Sequence, residues 1–294
     1  PSGTFSQLYM AVSKDDCQSF TDHTVFDGES KFGENKVQFG DIFNDLAIDG
    51  AGNLYVIGDG FVNTPSDTAT TWFLKSTDGG QHWSDPAQLD SPHAAYMLPA
   101  AIGGPQAGQL AIGYFRTTNG VTDPNSDGGV WTYATAESTN ANSASPTFSY
   151  SDVNPGYVYH TGQICNEGIL CGLPGQPSDR SLVDFTSATL DPHGCPLFVF
   201  AGNTPQSEAN NQTWNFVARQ TSGCFSSTSA GSSTTSGPGG STQPGGSQHK
   251  PPAHHRAKHK RHAKKHKRHA RRHRRHRKNP KKHARHHAAL DFVG

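Results

Sequence analysis

The chain has 294 residues, with 25 Lys/Arg against 24 Asp/Glu and a formal net charge of +1. That balance hides a split: residues 1–248 carry seven basic and 23 acidic residues, a net of −16, whereas the rest carries 18 basic residues and one acid, a net of +17. Opposite charge on two segments marks two physical objects. No apolar run reaches the roughly 18 residues of a membrane-crossing helix, and no CxxC pair is present to suggest a zinc ribbon. The chain opens at Pro1 without a Met or a signal peptide, so its frame is expected to begin inside a larger protein or to have been processed.

Long helical apolar periods are absent. Short alternating runs bounded by Gly, Asn, Asp and Pro read instead as strands and turns. The segment 5–30 carries the turn Ser13-Lys14-Asp15-Asp16-Cys17-Gln18-Ser19-Phe20. The runs FNDLAID (43–49), NLYVIGD (53–59) and TTWFLKSTD (70–78) follow, the last leading into Ser76-Thr77-Asp78-Gly79-Gly80-Gln81-His82-Trp83. QLAIGYF (109–115) and VWTYATA (130–136) form the next set, ending in a worn turn from Ser138-Thr139-Asn140 to Pro146-Thr147-Phe148. An insertion over 152–183 precedes PLFVFAG (196–202) and TWNFVAR (213–219). Tight glycine turns at Gly52, Gly108 and Gly194 open the middle strands, and the polar turns recur 63 and 62 residues apart. A period of this length signals a repeat architecture.

The turn Ser76–Trp83 matches the pattern S-x-D-x-G-x-x-W at every defining position. The first turn keeps Ser13, Asp15 and Phe20 but has Cys17 at the usual glycine. These turns resemble the Asp-boxes, or BNR repeats, of sialidases and their relatives. The chemistry is local: the carboxylate accepts turn N–H bonds, glycine permits positive φ, and the aromatic packs between sheets. The resemblance covers roughly 5–225. It implies an all-β protein, a β-propeller of four-stranded antiparallel blades. The expected domains are a propeller fragment (1–225), a Gly/Ser/Pro-rich flexible linker (226–248) and a His/Lys/Arg-rich basic tail (249–294). About three and a half blades are present: the end of one (5–30), two full ones (42–90 and 95–152) and three strands of another (184–225). Relatives close with about six, so further blades are expected upstream.

In such a blade the Asp-boxes lie on the face opposite the substrate site, so Ser13, Asp15, Phe20, Ser76, Asp78, Gly80 and Trp83 are structural. The insertion falls on the binding face and, with Arg116, supplies the candidates Tyr157, Tyr159, His160, Asp179, Arg180 and Asp184. A second reading of the insertion is a disulfide-clipped loop with Arg180 and Asp184 as an ion pair. A sialidase needs three arginines on the substrate carboxylate, a Tyr nucleophile activated by a Glu, and an Asp acid/base. Only Arg116 and Arg180 stand on the expected face, Arg219 falls within a strand, and no F/Y-R-x-P motif occurs. Tyr157 or Tyr159 with Glu167 or Glu208 is not fixed by a motif, so no catalytic residue is assigned. No cofactor and no metal site are expected.

Strand order brings Cys195 beside Cys224, and Cys165 and Cys171 close a short loop, leaving Cys17 over. Disulfides suit a secreted chain. In the tail, histidine recurs at 259, 262, 266, 269, 273 and 276, one stripe on a helix. Like charges oppose that helix in isolation, so disorder is expected until an anionic partner neutralises it. Cell-wall polymer, a lipid surface or nucleic acid would all be attracted non-specifically, while zinc on i, i+4 histidine pairs is opposed by the surrounding cations. Two functions follow. One is a secreted or cell-envelope-associated, bacterial, non-catalytic propeller that binds carbohydrate or protein and is retained by its tail. The alternative is an exo-sialidase-type glycoside hydrolase whose remaining catalytic residues lie upstream of Pro1.

Overall fold

A computed structural model describes residues 7–28, 37–62, 69–89, 94–165, 171–175, 178–182, 185–210 and 212–225. The chain divides into two units, 1–233 and 234–294, and all described residues belong to the first. The linker (226–248) and the tail (249–294) lie outside the described residues.

The strands form four antiparallel sheets in chain order. β1 (Gln7–Val12) pairs with β2 (Thr21–Asp27). β3 (Val37–Ile48), β4 (Leu54–Val62), β5 (Ala69–Ser76) and β6 (Ala87–Gln88) form a four-stranded meander. β7 (Tyr96–Gly103), β8 (Leu110–Thr117), β9 (Val130–Ser138) and β10 (Ser149–Asp152) repeat it, with β11 (His160–Thr161) added beside the start of β9. β12 (Ser187–Leu190), β13 (Pro196–Gly202) and β14 (Trp214–Arg219) supply three strands of the same order. A five-residue helix, α1 (Pro205–Ala209), lies between β13 and β14. Apart from α1, the regular structure of the described residues is thus all-β, as the strand signals predict.

Two strands differ from their sequence signals for backbone reasons. β3 starts six residues before the apolar run at Phe43, with its register to β4 shifting between Phe39 and Asn44. β7 contains Pro99, which has no N–H to give a ladder. Its register with β8 shifts between Met97 and Ala100, and Leu98 takes a φ of 56°. The Leu98 N–H is satisfied from the neighbouring sheet, donating to Asp59 Oδ2 at 2.9 Å.

Three apolar layers separate the four sheets, and strand alternation fills them. Leu110, Ile112 and Tyr114 of β8 face the layer shared with Tyr55, Ile57 and Phe73. Ala111 and Phe115 face the next layer, with Trp131, Tyr133, Phe198 and Phe200. Val25, Phe26, Val56 and Leu74 fill the first layer, with Trp83 packed against them. Tyr133 stacks on Phe200 with ring centroids 3.7 Å apart. Between them β8 must come close, and Gly113 allows it: a Cβ there would lie 2.6 Å from the Tyr133 hydroxyl and 2.7 Å from Phe198. Burying each large side chain contributes about 1.5–3 kcal/mol, so these layers, rather than the turns, hold the sheets together.

Acids of the second sheet also reach across. Asp45 Oδ2 accepts the Ala101 N–H at 2.7 Å, and Asp49 Oδ2 accepts the Gly108 N–H at 2.7 Å. Lys75 Nζ donates to the Ser143 carbonyl, and burial pushes its pKa down.

Candidate functional site

At one end of the sheets lie the serine–aspartate turns. In Ser76–Trp83 the Ser76 hydroxyl donates to Asp78 Oδ1 at 2.8 Å and accepts the Gly80 N–H at 2.9 Å. Asp78 Oδ1 also accepts the Gln81 and His82 N–H groups at 3.0 Å each, and His82 Nδ1 meets Oδ2 at 2.6 Å. The Asp78 pKa is held well below the usual carboxylate range by the backbone N–H and ring of His82 and by Ser76. The first turn repeats the plan: Cys17 N–H donates to Ser13 Oγ at 2.9 Å, as Gly80 does to Ser76. Asp15 is held down to about 2, first by the Ser19 hydroxyl, then by the Ser19 N–H and Ser13. Cys17 carries the glycine's positive φ, 65°, at a position where Gly80 has 86°. In the worn turn Asn140 takes the aspartate's place, accepting from Ser138 Oγ at 3.1 Å and from the Thr147 N–H at 2.9 Å. These side chains spend their polar groups on their own turns. Trp83 packs inward against the first layer, whereas Phe20 is 57% exposed.

A second recurring turn at the same end carries an acid that is not among the candidates named from sequence. Asp49 accepts from Ala51, Asn53 and Tyr55. Asp191 accepts the His193 and Cys195 N–H groups at 2.8 and 2.9 Å and pairs with Arg219 Nη2 at 2.6 Å. Its pKa is lowered to about 2, chiefly by the Cys195 N–H. The shared spacing D-x-x-G-x at 49–53 and 191–195 was available as a signal. These turns border a cavity of about 690 Å³ between Gly50, Pro105, His193 and Phe225, but its two acids are already occupied.

At the far end of β8 stands Arg116, in a cavity of about 470 Å³ lined by Tyr96, Tyr114, Thr117, Thr118, Tyr150, Ser151 and Asp152 among others. Arg116 Nε donates to Asp152 Oδ1 at 3.0 Å, and Nη2 reaches Oδ1 and Oδ2 at 2.7 and 2.8 Å. Arg116 stands at the end expected from the strand pattern, whereas its partner Asp152 is not among the candidates named from sequence. The signal would have been strand register: Asp152 on β10 aligns with Ala134 on β9, and Ala134 with Tyr114 on β8, one step from Arg116 on the same face.

The insertion's candidates separate into two groups. Tyr159 and His160, expected on an open face, are buried, at 4% and 0% exposure. Tyr159 packs edge-on to Phe200 and Phe216, and burial raises its pKa, with Tyr157 adding to the shift. His160 Nε2 donates to the Gln163 carbonyl at 2.8 Å, Nδ1 meets the Asn203 side chain, and Asp179 Oδ2 lies 3.7 Å away. Apolar neighbours from two sheets and the β9–β11 pairing draw both side chains inward. Tyr157 is half-buried beside Tyr159 and Phe216. Arg180 is exposed and engaged in an interaction of its own. Asp184 and Glu167 lie outside the described residues, as does the Glu208 side chain.

Disulfides join Cys165 to Cys171 and Cys195 to Cys224, with Cys17 free and exposed. Such bonds belong to chains matured in an oxidising, extracellular setting. No helix among the described residues is long and apolar enough to cross a membrane.

No family model matches the chain, and no curated protein does. Among solved structures it is similar to a sialidase described as Hadza microbial sialidase Hz136 (12% identity, TM-score 0.40, 61% of this chain and 34% of that one). It is also similar to the K499G mutant of NanB sialidase from Streptococcus pneumoniae (14%, 0.36, 74% and 26%). A third is Trypanosoma rangeli sialidase in complex with sialic acid (12%, 0.33, 74% and 32%). The chain therefore spans about a quarter to a third of the length of these structures. The repeat itself is carried by the chain's own meanders and serine–aspartate turns.

Proposed function

We propose that this chain is part of a secreted, sialidase-like β-propeller that binds a carbohydrate or protein ligand without hydrolysing it, and that its polycationic tail retains it at a bacterial cell envelope. On this reading the four sheets are successive blades, about three and a half of them, stacked through the three apolar layers. The observation that carries it concerns arginine. The chain holds three arginines before its tail, Arg116, Arg180 and Arg219. Arg116 is committed to Asp152 and Arg219 to Asp191. A sialic acid carboxylate needs guanidinium groups free to form paired charge-assisted bonds, and displacing Asp152 would strand a second carboxylate in the same cavity. The tail's 18 Lys/Arg and 12 His, on a body of net −16, favour attachment to an anionic polymer rather than recognition of a sequence or shape.

The test is turnover of a fluorogenic sialoside by the full chain. No release above a protein-free blank is expected. Release that is abolished by Arg180→Ala or Arg116→Ala would establish the hydrolase instead.

A further inference from the structure

The cavity at Arg116 has a chemistry more specific than binding in general. Its volume, about 470 Å³, falls within the range of about 300–1,000 Å³ common for small-molecule sites. Its charged groups cancel: the Arg116 and Asp152 side chains face each other with 29% and 22% exposure, so both remain reachable. The pair uses the Nε and Nη2 edge of the guanidinium and leaves Nη1 to donate. Asp152 retains lone pairs that can accept. A donor and an acceptor thus stand side by side at zero net charge. Thr118, at the cavity wall, gives its own hydroxyl proton to the Val130 carbonyl, leaving its oxygen to accept. Tyr150 is 48% exposed beside them, anchored through its hydroxyl to the Leu89 carbonyl, so its ring rather than its polar tip is presented.

Resting on the binding reading above, we infer that this cavity takes a neutral pyranose, with neighbouring hydroxyls on the Arg116–Asp152 pair and the sugar's C–H face on Tyr150. Vicinal hydroxyls each donate and accept, so they match a neutral ion pair without breaking it. An acidic sugar would meet Asp152 as a like charge, or would have to take Arg116 from it and leave Asp152 uncompensated. The expected ligand therefore lacks the negative charge of a sialic acid, although the repeats resemble those of sialidases.

The experiment is a titration of the full chain, labelled with 13C on tyrosine rings, with methyl α-mannoside, methyl β-glucoside, methyl β-galactoside, N-acetylglucosamine and N-acetylneuraminic acid. At least one neutral sugar should shift the Tyr150 signals saturably in the millimolar range. Both Arg116→Gln and Tyr150→Ala should weaken that binding tenfold or more. Tyr150→Ala leaves the ion pair in place, so it keeps the test valid if Arg116→Gln loosens β10. N-acetylneuraminic acid binding as tightly as the best neutral sugar would overturn the inference. Neutral binding insensitive to both variants, or no saturable shift with any neutral sugar, would overturn it too. Either of those results would leave the non-catalytic reading standing, because that reading falls only to sialoside turnover.

Discussion

Replacing Asp49 by asparagine probes how the sheets are tied at their turn end. Asp49 is 4% exposed. Its Oδ1 accepts the Ala51 and Asn53 N–H groups at 2.9 and 3.0 Å. Oδ2 accepts from Asn53 Nδ2 at 2.8 Å, the Tyr55 hydroxyl at 2.7 Å and Gly108 N–H at 2.7 Å, the last from the next sheet. Asparagine preserves the volume and one acceptor but turns an NH₂ toward these three donors. The Tyr55 hydroxyl can rotate and the Asn53 side-chain amide can flip to accept, while the Gly108 N–H cannot. One buried donor stranded puts the loss at about 1–3 kcal/mol. Burial alone would raise the Asp49 pKa; its donors, Asn53, Gly108 and Tyr55 foremost, outweigh burial and lower it. A carboxylate whose folded pKa is depressed stabilises the fold above its unfolded pKa of about 3.9, and that contribution is lost as pH falls through the folded value. Urea melts followed by tryptophan fluorescence should therefore show a large gap between wild type and Asp49→Asn at neutral pH. The gap should narrow below about pH 4. A variant within about 0.5 kcal/mol of wild type at neutral pH, or a gap that ignores pH, would refute the reasoning.

The strained glycine position of the first turn gives a paired expectation. Cys17→Gly relieves a left-handed backbone at a side-chain-bearing residue and should stabilise by about 1 kcal/mol. Gly80→Ala should cost about 2 kcal/mol, from φ and from a Cβ 3.0 Å from the Met10 sulfur, and equal melts for both would show that the turns differ in plan. Reduction should reveal unequal disulfides: Cys195–Cys224, with a sequence separation of 29, contributes about 3–4 kcal/mol by chain entropy, more than Cys165–Cys171 with 6. Non-reducing peptide mapping should recover both bonds with Cys17 alkylated, and Cys17 joined to any other cysteine would contradict the strand order.

The strands and turns were legible because their causes are local. The short apolar run at Leu110–Phe115 after the turn glycine Gly108, and the spacing of Ser76, Asp78, Gly80 and Trp83, are written in neighbouring residues. The two disulfides followed from strand order and a short loop. Pairings between distant elements were not legible. Asp152 meets Arg116 only once β10 is in register with β9 and β9 with β8. His160 could be read as a surface ligand because its burial comes from Asn203, 43 residues away, and from a two-residue strand too short to leave a pattern. The break inside β7 was not legible either: beside Pro99 the register with β8 shifts, and the Leu98 N–H leaves the ladder to donate to Asp59 of another sheet.

The claim that the acidic body is retained by its basic tail is tested most directly by binding to an anionic polymer. The full chain and a form ending at Ser247 would be titrated with heparin and with duplex DNA at two salt concentrations and at about pH 5.5 and pH 8. If about 10 of the 18 tail Lys/Arg meet phosphates, log affinity for duplex DNA should fall against log salt with a slope near −9. The 12 tail histidines have a reference pKa of about 6.5, so binding should be tighter at the lower pH. The shortened form, with a net charge of −16, should not bind. Equal affinity of the two forms, or binding that ignores salt, would contradict retention by the tail.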